Sequence, residues 1–217
     1  MPLSPKLQEL IDAIPPTDPN MMKRASIRQA RLTKPPGSLG RLEEISVKLA
    51  GIFGSSRPAV AGRSLVIAAG DHGVVAQGVT AYPSEITGQM VLNFLSGGAA
   101  ATAMARSLDV KVTVVDAGVK SDLPEHPDLI SLRIGPGTSD ISVGPAMSRD
   151  QAERCVLEGA RIGAEVAAAG NGLVATGDMG IGNTTPSSAI TAAITGMPPE
   201  VTTGRGTGRS SEELRRK

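Results

Sequence analysis

Aromatic side chains are almost missing from this sequence: Tyr82, Phe53 and Phe94 are the whole set, with no tryptophan. A core cannot then be filled with large rings. It has to be built from Ala, Val, Leu, Ile and Met, which suits helices packed on a buried parallel sheet. Cysteine is nearly absent too. The single Cys155 excludes an internal disulfide and fits a reducing cytoplasm. Its helical setting reads as that of a small apolar side chain rather than a reactive thiol. Neither sign of charge dominates: the formal net charge is +1 and there is no dense Lys/Arg run, so a nucleic-acid-binding surface is not supported. No apolar run approaches the roughly 20 residues that span a bilayer. The first residues also lack the basic region and apolar stretch of a signal peptide. The expectation is a soluble cytoplasmic protein with no membrane partner. His72 and His126 are the two histidines, distant in sequence and without a cysteine cluster, so no metal site is expected.

What is present is a globular balance: 217 residues, 40% apolar and 20% charged, enough for one medium α/β domain with an accessory layer. Residues 1–60 read as helices. Leu7, Leu10, Ile11 and Ile14 recur at helical spacing, and Pro15 and Pro16 stop that segment. A second helix covers about 20–32. The run Thr33-Lys-Pro-Pro-Gly-Ser-Leu-Gly-Arg41 is irregular, with Ser38 as a candidate cap for a third helix whose apolar stripe is Leu42, Ile45, Leu49 and Ile52.

From residue 64 the pattern changes. Short apolar runs at 64–69, 110–116 and 172–176 read as buried strands, with a shorter one within 129–134. Helical segments lie between them at about 84–95, 99–108 and 148–169, the last with Ala152, Cys155, Val156, Ala160, Gly163 and Ala167 as one face. This alternation predicts an α/β fold, a Rossmann-like parallel sheet flanked by helices, with an N-terminal helical small-domain portion. The expected division is 1–60, 61–209 and 210–217. In the last piece Ser210-x-x-Glu213 has capping-box form, and the chain stops within about two turns of it. The reading there is a truncated helix. In parallel sheets ligands sit beyond the carboxyl ends of the strands. All three confident strands end there in loops bearing glycine and an acid: Asp71, Asp116 and Asp178.

The strongest local motif is Thr176-Gly-Asp-Met-Gly-Ile-Gly-Asn-Thr-Thr-Pro186. Its glycines permit close approach of backbone N–H groups to an anion, and a helix starting near Thr184 aims its positive end at the same point. A phosphate seat and a plain strand-to-helix turn both fit. The Gly-Lys-Ser/Thr ending of a P-loop is missing, as is the acid that completes a dinucleotide fingerprint. On the phosphate reading, Gly180, Gly182, Asn183 and Thr184 contact the anion. Gly180→Val or Gly182→Val would then abolish binding with the fold largely intact. Thr203-Gly-Arg-Gly-Thr-Gly-Arg209 could wrap a phosphate as a nest around Gly206, or be a flexible loop. Ala69-Gly-Asp-His-Gly-Val74 places Asp71 and His72 at a strand end, without the Gly-x-Ser-x-Gly of a hydrolase. A hydrogen-bonding role suits His72 better than catalysis. Tyr82, Gln89 and Met90 are of the kinds that line a pocket for a flat heteroaromatic ring, although packing also explains Met90.

Taken in order, these segments resemble one family. Thr33 to Glu44, Asp71-His-Gly-Val74, Gly78 to Met90, Asn93-Phe-Leu-Ser-Gly-Gly-Ala-Ala100, Asp116-Ala-Gly-Val119, Pro145-Ala-Met-Ser148, Gly177 to Pro186 and Gly204-Arg-Gly-Thr-Gly208 are similar to the motifs of the nicotinate-nucleotide–dimethylbenzimidazole phosphoribosyltransferases. The resemblance implies transfer of the 5-phosphoribosyl group of nicotinate mononucleotide to 5,6-dimethylbenzimidazole in cobalamin synthesis. It also implies a homodimer, and neither cofactor nor metal. Asp178 stands where the family usually has glutamate. The family's catalytic glutamate lies in a C-terminal segment with no counterpart here. The carboxylates that remain as candidate bases are Glu85, Asp178 and Asp71, and little turnover is expected of the 217 residues. A non-catalytic relative that binds the nucleotide or the benzimidazole is the alternative.

Overall fold

Side-chain caps start the first helices. Ser4 accepts from the Leu7 amide at the head of α1, Pro5–Asp12. Asp18 accepts from the Asn20 and Met21 amides at 2.8 and 3.1 Å and opens α2, Pro19–Ala30. In this computed structural model residues 3–206, 212 and 214 are described. They divide into two units, Met1–Val60 and Ala61–Lys217.

The third helix of the first unit, α3, spans Arg41–Phe53 and does not use the expected cap. The chain is still turning through residues 36–40, so Gly40 takes the cap position and Ser38 lies too far upstream. Glu43 serves the turn instead, accepting from Lys34 Nζ at 2.6 Å and from the Leu39 amide at 3.2 Å. Those two contacts, Lys34 first, hold the Glu43 carboxyl below the usual carboxylate range. The stripe read from Leu42, Ile45, Leu49 and Ile52 is not the buried side of α3. Leu42 and Ile52 are 63% and 64% exposed, while Ala50 and Gly51 are buried. Small residues win because α2 lies close: a Cβ on Gly51 would stand 2.6 Å from Met22 Cγ.

The second unit is built on four parallel strands: β1, Arg63–Gly70; β2, Lys111–Gly118; β3, Leu129–Ser131; and β4, Leu173–Met179. A 3-10 turn, Gly73–Gln77, leaves β1 and leads to α4, Glu85–Leu95, and α5, Ala100–Ser107. α6, Arg149–Ala168, precedes β4, and α7, Thr184–Thr195, follows it. A short α8, Pro199–Thr202, was not foreseen. Ser148 and Gln151 close a reciprocal capping box at the head of α6. The helix buries Ile162 and leaves Val156 54% exposed, so its inner face is rotated from the expected one. The nest residues Thr207 and Arg209 and the Ser210–Glu213 capping form lie outside the described residues.

The strand order is β3-β2-β1-β4. β1 is central, with Ile67 in register with Val114 on one side and Gly177 on the other. Successive strand residues face opposite sides of a sheet. Ala69 joins Val91 of α4, Val114 and Val119 in the core, with Phe94 and Met179 packed against them. Its neighbour Ala68 faces the other side, where α6 supplies Gln151 and Cys155. Helices therefore flank both faces. The core is aliphatic, as the scarcity of rings requires.

Candidate functional site at the carboxyl edge of the sheet

In an open parallel sheet the crevice opens where the strand order reverses. Here that point lies between β1 and β4. The loop leaving β1 carries Asp71 and His72; the turn leaving β4 carries Gly180 to Asn183. The two meet backbone to backbone: a Cβ on Gly180 would stand 2.3 Å from the Gly70 carbonyl oxygen and 2.8 Å from His72 Nε2. Gly182 has φ of +82°, and its missing Cβ would lie 2.8 Å from Val75 Cγ2. Both glycines are thus demanded by packing. The expectation that valine at these positions leaves the fold largely intact is overturned.

The three acid-bearing strand ends, alike in sequence, have different fates. Asp116 is buried and its Oδ1 accepts from the Val119 amide at 2.8 Å, closing the turn after β2. Asp71 is 2% exposed, and its Oδ2 accepts from the Lys120 amide at 2.8 Å. Its Oδ1 is buried with no hydrogen-bond partner among the described residues. Asp178 is exposed, and its Oδ2 accepts from Asn183 Nδ2 at 2.9 Å. One carboxylate fastens a turn, one is half committed, and one is presented.

Asp71, His72 and Asp178 line a cavity of about 180 Å³ over Ala68, walled by Ile134, Gly137 and Thr138 and by Met147, Gln151 and Cys155. The second set of walls was not foreseen. Gln151 and Cys155 lie four apart on α6, a spacing the sequence shows, but the sheet face they address was hidden by the choice of stripe. Burial raises the Cys155 thiol, with Arg154 opposing, so the thiol stays protonated. His72 makes none of the side-chain hydrogen bonds described, contrary to the role expected for it. Burial lowers its pKa below 6.5, while Asp178 and then Asp71 pull it upward. A depressed folded-state pKa means that the unfolded chain binds the proton more readily. The stability that neutral His72 contributes is present above about pH 6.5 and is lost as pH falls through the folded value. Thermal melts between pH 7.5 and 5 are expected to show a decline that His72→Asn flattens. Equal slopes for both proteins would count against this environment.

The ring-side candidates lie elsewhere. Tyr82 is 50% exposed before α4. Glu85 and Gln89 are exposed on α4, and Met90 is half-buried. None of the four lines the cavity. Two other residues of the same helix reach the carboxyl edge: Thr87 bonds the Ile181 amide and Gly88 packs against Ser121. Gly206 is exposed with φ of +59°, and no described contact joins it to the cavity. Thr184 is the exposed first residue of α7, and Thr185 Oγ1 beside it is buried with no hydrogen-bond partner among the described residues. Among the described residues no group of three or more His, Cys, Asp or Glu could hold a metal ion. No described helix is long and apolar enough to cross a membrane.

Fold and crevice define an α/β protein of the kind that holds a small polar ligand at the switch point of a parallel sheet. Comparison with known proteins narrows that class. A family model described as phosphoribosyltransferase matches residues 14–217, and the chain belongs to that family. A relative from Roseiflexus sp. (strain RS-1), named nicotinate-nucleotide–dimethylbenzimidazole phosphoribosyltransferase, is 52% identical over 211 residues, covering 97% of this chain and 60% of its own length. One of the same name from Thermus thermophilus is 50% identical over 200 residues, covering 92% of this chain and 60% of its own. The crystal structure of CobT from Thermus thermophilus superposes with a TM-score of 0.88 at 49% identity, over 91% of this chain and 60% of that one. The chain spans about 60% of the length of the curated relatives it matches.

Proposed function

We propose that this chain binds nicotinate mononucleotide at the turn between β4 and α7 and transfers its 5-phosphoribosyl group to 5,6-dimethylbenzimidazole. Nicotinate and α-ribazole 5′-phosphate are the products, and the step serves cobalamin synthesis. The observation that carries this is a juxtaposition at the β1/β4 switch point. A glycine turn at a helix N-terminus stands beside a presented carboxylate, Asp178, near the end of the strand that leads into it. The helix end suits a phosphate monoester, with Gly180, Gly182, Asn183 and Thr184 around it. Gly206 is a further phosphate contact.

The carboxylate suits the chemistry. The donor's glycosidic nitrogen belongs to a cationic pyridinium, so the bond to C1′ breaks with its electron pair going to a ring that leaves neutral. The acceptor nitrogen attacks C1′ from the opposite face, and a β nucleotide becomes an α one. Positive charge grows on the acceptor, and a carboxylate removes the proton from its other nitrogen. Among the candidates Asp178 suits this best, because Asp71 is buried with one oxygen committed, while Glu85 is a first-turn residue of α4 with no described hydrogen bond to the turn. Tyr82, Gln89 and Met90 seat the acceptor ring. By kinship the working form is a homodimer in the cytoplasm. Incubating the purified chain with both substrates and following α-ribazole 5′-phosphate by chromatography tests the assignment, with calorimetry of each substrate alongside. Both substrates are expected to bind, and product is expected to form slowly. Binding without turnover favours a non-catalytic relative, and no binding of either substrate refutes the reading.

A further inference from the structure

One hydrogen bond ties α4 to the turn after β4. Thr87 is 0% exposed, and its Oγ1 accepts from the Ile181 amide at 3.0 Å, joining residues 94 apart in the chain. The next residue, Gly88, packs against the loop beyond β2, where a Cβ would displace the Ser121 hydroxyl. The first turn of α4 therefore packs between the loops that leave β2 and β4.

Ile181 stands between Gly180, pressed on the Gly70 carbonyl, and Gly182, held at φ of +82°. Further on, Asn183 is tied to Asp178. The turn thus has three fixings. Two come from β1 and from the turn's own strand. The third, Thr87, comes from the helix that also carries Glu85 and Gln89.

We infer that Thr87 is a positioning residue: it holds the Gly180–Thr184 turn in the shape that receives the nucleotide and keeps that turn in register with the exposed side of α4. The inference rests on the reading of this turn as the nucleotide seat. It also removes the Ile181 N–H from the donors offered to the phosphate, because that N–H is already spent on Thr87. Thr87→Val keeps the shape of the side chain and deletes the acceptor, leaving a buried amide unpaired; Thr87→Ser keeps the acceptor.

Amide hydrogen exchange of the whole 217-residue chain, read residue by residue without ligand, is the first measurement. Thr87→Val is expected to speed exchange at Ile181 by about tenfold or more and to weaken nicotinate mononucleotide binding by a similar factor. Thr87→Ser is expected to restore both. Val114→Ala, a core truncation on β2, is the control: it lowers the melting temperature and leaves the affinity unchanged. The positioning role is overturned by unchanged exchange across residues 181–184 in Thr87→Val. It is equally overturned if Thr87→Ser behaves like Thr87→Val, or if Val114→Ala loses affinity to the same degree. If the unaltered chain binds no nucleotide while Thr87→Val still loosens the turn and Thr87→Ser restores it, Thr87 positions the turn and the proposed substrate is wrong.

Discussion

Gly180→Ala is expected to abolish nicotinate mononucleotide binding and to lower stability by about 1–3 kcal/mol. The added methyl would stand 2.3 Å from the Gly70 carbonyl oxygen, a backbone atom that cannot rotate away. The ends of β1 and β4 must separate to admit it, and that movement opens the turn where the phosphate is proposed to sit. Gly182→Ala meets a side-chain methyl of Val75 instead, together with the left-handed backbone penalty of about 1–2 kcal/mol. Because both changes act through shape, they are paired with Asn183→Ala and Thr184→Val, which add no bulk at the joint between the strands, the first also releasing the tie to Asp178. A hydrogen bond to a charged group contributes about 1.5–3 kcal/mol, so each is expected to weaken binding about tenfold or more. Calorimetric affinities that stay unchanged in both of the latter variants would remove the phosphate from this turn, whatever the glycine variants do.

Asp178→Asn should cut turnover by about 10²–10⁴-fold, the usual loss for a positioned general base. The amide can still accept from Asn183, so nucleotide affinity should hold while the chemical step fails. Asp178→Glu lengthens the reach to that of the usual family residue and should retain activity. Glu85→Gln should have little effect, because Glu85 is a first-turn charge on α4. Single-turnover formation of α-ribazole 5′-phosphate is the measurement. Loss of product with Glu85→Gln but not with Asp178→Asn would move the base to α4.

Three of the four strands were legible because each is a short apolar run that ends at a glycine and an acid, and the head of α6 was legible to within two residues because Ser148 and Asp150 are both of the types that cap helices. Local signals suffice where the chain's partners are a few residues away. They failed where the partner is distant. Nothing near Asp71, Asp116 or Asp178 distinguishes them in sequence; their roles depend on whether a nearby amide, such as that of Val119, or one contributed by another strand's loop, such as that of Lys120, arrives at the oxygen. The cavity walls at Ile134 to Thr138 were unreadable for the same reason, since a Pro/Gly-rich stretch carries no periodicity to say which way it turns. Thr87 looked like any polar residue on a helix, and its role appears only when Ile181, 94 residues away, is placed against it.

The contact between Gly180 and Gly70 also limits how such a site can diversify. The floor of the crevice is main chain on main chain, and its shape and polarity are common to every amino acid that might be tried there. Substitution cannot recolour it; it can only break it. Any change in what this cavity accepts therefore has to be written in its walls, with Met147 and Cys155 the nearest side chains that take part in none of the described hydrogen bonds. A library confined to those two would explore what the cavity accepts without touching the joint between the strands, whereas one that includes the glycines would cost stability at the joint itself.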